Sequence, residues 1–111
     1  VIVRTHHYEF EVMFVDKASP EWVSLPAGVE DTDSGYTDFD HERIVIRADM
    51  TTAMQADCLL HEVLHCAVEA GGGDDGVKNK GEAWVLTATA GLKQMLVLDN
   101  DELFEYLGVN L

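Results

Sequence analysis

The residues of this chain best suited to chemistry stand together at His61-Glu62-Val63-Leu64-His65. On a helix, positions i and i+4 lie one turn apart on one face, so both imidazoles can reach a single metal ion. Glu62 stands about 100° round such a helix from His61, beside the ion rather than on it. A base has to stand there to take a proton from a metal-activated water. Five His and ten Glu in 111 residues would produce this pattern by chance about 0.02 times per chain, so its presence carries information.

Zinc at a hydrolytic site takes three protein ligands and keeps one position open. No histidine follows His65. A metzincin continuation would need a glycine at Val68 and a ligand at Gly71, and neither is there. The acids that remain downstream are Glu69, Asp74, Asp75, Glu82 and those after Leu98. A set of His61, His65 and Glu69 would stretch over about 12 Å of helix, too far for one compact shell. Asp74 and Asp75 fall in a glycine-rich stretch. Glu82 opens an otherwise apolar segment, where a buried carboxylate needs a partner. It is favoured as the third ligand, although an acid complementing the helix dipole would also sit there.

HExxH, a short loop and then a Glu on a following helix resembles the gluzincin branch of zinc metallopeptidases. The stretch Leu59-Leu60-His61-Glu62-Val63-Leu64-His65, followed by Gly81-Glu82-Ala83-Trp84-Val85, is similar to small members of that branch. These are the minigluzincins, the ImmA/IrrE-type family and metallopeptidase-like proteins of phages. The resemblance spans residues from about 34 to 98. It implies a zincin-like fold, a Zn2+ ion held by His61, His65 and Glu82, and peptide hydrolysis with Glu62 as general base. It also implies that a strand ahead of the helix, here 42–47, borders the cleft and pairs with extended substrate. A further donor should stabilise the oxyanion, with Tyr36, His41 and Tyr106 as candidates. Asp57, four residues before His61, is a candidate carboxylate for orienting an imidazole. Cys58 reads as a small packed thiol. The alternative is a zincin-fold binding or regulatory module without useful turnover, recognising a basic protein partner.

These residues need elements to position them. Tyr8, Phe10, Val12 and Phe14 alternate with Glu9, Glu11 and Met13, the signature of a half-buried strand. Ser19-Pro20 and Pro26-Ala27-Gly28 punctuate a connection around Trp22, with irregular chain or one short helical turn expected. Residues 30–42 hold six acids and no base and read as a solvated acidic turn. Ile44 and Ile46 alternate with Arg43 and Arg47 in a second strand.

A helix is predicted over 52–70, opened by the capping pattern Thr52-x-x-Gln55 and closed at Gly71-Gly72-Gly73. Its apolar arc is Leu60, Val63, Leu64, Ala67 and Val68. A second helix over 81–98 is apolar nearly all round and is expected to be central and covered. Gly91 would allow close helix approach there. A short third helix starts at Asn100 or Asp101 and ends near Gly108. The fold class is α+β in a single domain over 1–111: a small, mostly antiparallel sheet packed on the HExxH helix and a second ligand-bearing helix.

Composition narrows the partners. Twenty-one acids against seven bases give a formal net charge of -14. A nucleic-acid binder would carry a basic patch, and anionic membranes repel such a chain. No apolar run reaches the roughly 18 residues of a membrane span. Peptide or protein substrates, particularly basic ones, are the partners that this charge favours. Cys58 and Cys66 sit eight residues apart on one predicted helix, about 12 Å, which is beyond the reach of a disulfide. Free thiols favour a reducing, cytoplasmic setting, in a bacterial, archaeal or phage-infected cell if the resemblance holds.

Overall fold

A computed structural model of the chain describes residues 1–25, 34–72 and 82–108, with side chains in the last stretch described from 86 onward. In chain order the elements are β1 (Ile2–Arg4), β2 (Glu9–Val15), α1 (Pro20–Val23), β3 (Gly35–Asp38), β4 (Arg43–Arg47), α2 (Thr52–Ala70), α3 (Glu82–Val97) and α4 (Asp101–Tyr106). The class is α+β, as the sequence implies.

The sheet runs β1-β2-β4-β3. Its outer pairings are antiparallel, whereas the central β2–β4 pair is parallel with Val12 opposite Ile44 and Phe14 opposite Ile46. The sheet is mostly antiparallel as expected, in two pairings of three, and its parallel centre makes it mixed. The cause lies in β4: Ile44, Val45 and Ile46 are each fully buried. A strand apolar on both faces belongs in the middle of a sheet, and the β3–β4 hairpin docks accordingly with β4 innermost.

Phe10 and Val12 of β2 face the core with Val3, Ile44, Ile46, Leu59, Val63, Cys66, Ala67, Met95 and Leu103. Helix α2 packs over β3 and β4, α3 lies along α2, and α4 lies against β1. Asn100 fastens that last contact: its side chain accepts from the Arg4 amide at 2.7 Å and donates to the Arg4 and Met95 carbonyls.

Helix α2 has the expected bounds but a shifted cap and a rotated core stripe. Thr51, not Thr52, is the N-cap and accepts from the Met54 amide at 3.2 Å. Gln55 instead donates to the Ala48 and Met50 carbonyls. The buried residues are Leu59, Glu62, Val63, Cys66, Ala67 and Val68, while Leu60 is 47% exposed. The reason is the neighbour on each side. Leu59 and Cys66 turn to the sheet, and Ala67 meets α3 backbone to backbone. A Cβ on Gly91 would lie 1.7 Å from the Ala67 carbonyl oxygen, and one on Gly71 would lie 1.9 Å from that of Thr87. Gly91 thus serves the close approach.

Helix α3 is not the covered central helix its composition suggests. Leu86, Leu96 and Val97 are exposed, because α3 packs on one side of α2 and not between layers. Among the described residues no helix is long and apolar enough to cross a membrane.

Candidate metal centre

The three faces of α2 explain how the motif is presented. Sheet and α3 take two of them, and His61 and His65 emerge on the third. Their Nε2 atoms face one another at 3.2 Å. Two ring nitrogens at that separation share one proton or one cation. With zinc–nitrogen bonds of about 2.05 Å, a 3.2 Å separation subtends about 100° at the ion, close to a tetrahedral angle. Ligand atoms of His61, Glu62 and His65 all lie within 4.8 Å of one another, and no other such group of three occurs among the described residues. The pair therefore fits the metal that the motif implies.

Glu62 differs from its neighbours by being buried, 5% exposed against an exposed His61. Its Oε2 stands 4.0 Å from His61 Nε2. Its Oε1 accepts a hydrogen bond from the Thr37 hydroxyl at 3.1 Å. The two oxygens are thus differentiated, one tied to the sheet and one facing the imidazoles. Burial of a carboxylate is tolerated only with such a partner.

Thr37 lies on β3, which the sequence reads as acidic turn. The strand-forming Tyr36-Thr37 pair is the signal that could have revealed it. Gly35, two residues earlier on the same face, lets β3 approach the helix: a Cβ there would come 2.7 Å from Cys58 Sγ and 3.6 Å from Glu62 Cγ. β3 stands at the edge of the sheet beside the site, while β4 is paired on both sides. The cleft-edge strand is therefore β3 and not 42–47 as expected, because the apolar β4 is drawn inward.

An open cleft of about 520 Å³ adjoins the motif, lined by Ser34, Gly35, Met50, Met54, Asp57, Cys58, His61 and Glu62. Asp57, expected as a buried orienting carboxylate, is exposed on the cleft wall. The rotated core stripe of α2 leaves it outside. Cys58 is half-buried and free, and burial, followed by the charge of Glu62, pushes its thiol up to about 11. Cys66 is buried and outside any disulfide.

None of the three oxyanion candidates lines the cleft. Tyr36 alternates with Gly35 and Thr37, so it leaves β3 on the face away from α2. His41 Nδ1 is 2.9 Å from Asp38 Oδ2, within a cluster that also takes Arg43. Tyr106 packs on Phe14 with ring centroids 5.7 Å apart. Burial raises the Asp38 carboxyl, but the hydrogen bonds from Arg43 and His41 outweigh it and hold the group below its ordinary value.

Glu82 is the first residue of α3, and its side chain lies outside the described residues, as do Asp74 and Asp75. Gly91 rests on Ala67 and Thr87 on Gly71, so α3 runs antiparallel to α2, and its first residue, Glu82, lies about 13.5 Å before Gly91, beyond the C-terminal end of α2 and away from His61 and His65. His61 and His65 are thus the two expected ligands that the structure brings together, and the backbone of Glu82 does not lie beside them. No protein family, curated protein or solved structure matches the chain.

Proposed function

We propose that this protein is a zinc metallopeptidase of the gluzincin type, with His61 and His65 as ligands, Glu62 as general base, and Glu82, named by the sequence pattern and not by the packing of α3, as third ligand. The observation that carries the reading is the pairing of two convergent imidazoles, 3.2 Å apart, with a buried carboxylate oxygen 4.0 Å from one of them. Zinc bound there would supply Lewis acidity, acidifying water and polarising a peptide carbonyl.

The chain's own residues do the rest. Glu62 Oε2 takes the proton of the attacking water and passes it to the leaving amine. Thr37, bound to Oε1, keeps the carboxylate from turning away from the imidazoles. β3 offers an edge beside the cleft along which an extended peptide can lie. The zincin-like fold belongs to the same proposal.

The test is Glu62→Gln read beside His61→Ala and Glu82→Ala. Glu62→Gln should retain one zinc per chain and lose about 10²–10⁴-fold in chelator-sensitive peptide cleavage. His61→Ala and Glu82→Ala should lose the metal. Cleavage by Glu62→Gln at the wild-type rate would sink the mechanism, and zinc retained by Glu82→Ala would remove that ligand. A wild-type protein that holds zinc and captures basic proteins without cutting them would be the binding module instead.

A further inference from the structure

The cleft beside His61 has a composition that the hydrolytic reading leaves unused. Met54, Asp57, Cys58 and His61 are spaced i, i+3, i+4 and i+7, so they form one continuous strip along α2. Met50 closes the strip from the turn before the helix, and Gly35 with Ser34 forms the opposite wall. Met54 is 53% exposed and Met50 is partly buried. Seen from His61, the two adaptable thioethers lie beyond Asp57, at the far end of the groove. One exposed carboxylate, Asp57, stands between them and His61. It lies four residues from His61, about 6 Å along the helix. A fully extended lysine side chain, five bonds from Cα to Nζ, spans about 6 Å as well. Such side chains lay their stems on apolar surface and carry the charge at the tip.

From this match we infer that the cleft is a specificity pocket for a lysine or arginine next to the cleaved bond, the stem running past Cys58 and the cation meeting Asp57, with Met54 flanking the tip. The inference rests on the metallopeptidase reading for its site, and it deepens that reading by naming the substrate class: peptides with a long basic side chain. The formal charge of -14 draws such peptides in from solution but does not select a residue. Asp57 performs the selection.

Binding is the readout that separates this inference from hydrolysis itself. Zinc-loaded Glu62→Gln protein, labelled with 13C at the methionine methyls, is titrated with three capped pentapeptides. These are alanine chains carrying a central lysine, norleucine or glutamate. The lysine peptide should shift the Met54 methyl while leaving Met95, which is fully buried in the core, unmoved. It should bind about fivefold tighter than the norleucine peptide, the factor that accompanies a partly solvated ion pair. Asp57→Asn, at an exposed position, should abolish that margin and leave the norleucine affinity unchanged. Norleucine or glutamate binding as tightly as lysine would overturn the inference. So would a lysine margin that survives Asp57→Asn, or a Met54 methyl that does not move. Wild-type protein that binds the lysine peptide through Asp57 without cutting it would leave the pocket standing and refute the peptidase.

Discussion

Thr37→Val removes one hydroxyl from the buried contact between β3 and Glu62, and its consequences can be worked out closely. Thr37 is 8% exposed, and its Oγ1 lies 3.1 Å from Glu62 Oε1. A hydrogen bond to a charged group contributes about 1.5–3 kcal/mol. If that energy holds Glu62 in the catalytic position, kcat falls about 10- to 160-fold while KM and zinc content stay near wild type. Because the carboxylate is buried, global stability should fall by a similar amount, read from urea unfolding. Thr37→Ser keeps the hydroxyl and should recover most of the rate. The assay is chelator-sensitive hydrolysis of a quenched fluorescent peptide, with zinc measured by elemental analysis on the same samples. Full kcat in a destabilised Thr37→Val protein would show that the bond supports the fold and not the reaction. Equal damage in Thr37→Ser would point to packing of the methyl group.

Three further outcomes follow from the same geometry. Zinc at 100 times its Kd should stabilise by about 2.7 kcal/mol; with an unfolding entropy of about 2.1 cal/mol/K per residue over 111 residues, Tm rises about 12 °C. That rise should vanish in His65→Ala, and its survival there would place the ion elsewhere. Gly91→Ala drives a Cβ into the Ala67 carbonyl, 1.7 Å away, and should cost at least about 1–3 kcal/mol in urea unfolding; a neutral result would mean that α2 and α3 separate freely. Asp38 is held below its ordinary value when folded, so its contribution is complete above pH of about 4. It is lost as pH falls through the lower folded value. The stability gap between wild type and Asp38→Asn should therefore close on acidification, and a gap independent of pH would count against the Arg43 and His41 pairing.

The helices were legible because each carries its own signals. The Thr51–Thr52 pair and the Gly71–Gly72 stop bound α2 with little help from the rest of the chain. The spacing of His61 and His65 likewise translates directly into a 3.2 Å approach of their nitrogens. What escaped was set by partners distant in sequence. Which face of α2 turns inward depends on a glycine at 91 and a cysteine packed under a glycine at 35. Glu62 counts as a polar residue in any periodicity, yet its pairing with Thr37 draws it into the buried stripe. β3 was hidden because its four residues, Gly-Tyr-Thr-Asp, sit inside an acid-rich stretch whose charge dominates a local reading. The parallel centre of the sheet follows from β4 being apolar on both faces, a property visible in the sequence but decisive only once β2 and β3 compete for its edges.

The glycines on either side of α2 also act mechanically. Gly35 seats β3 against Cys58 and Glu62, and Gly71 with Gly91 seats α3 against the helix backbone on another side. A rod pinched between two such hard stops can neither roll about its axis nor slide by a turn without lifting off both. The imidazole pair is then preformed, and a binding cation finds its nitrogens aligned by folding instead of having to order them itself. Stiffness at the site originates in residues that have no side chain, and substitutions there would weaken binding of the proposed metal without touching a proposed ligand.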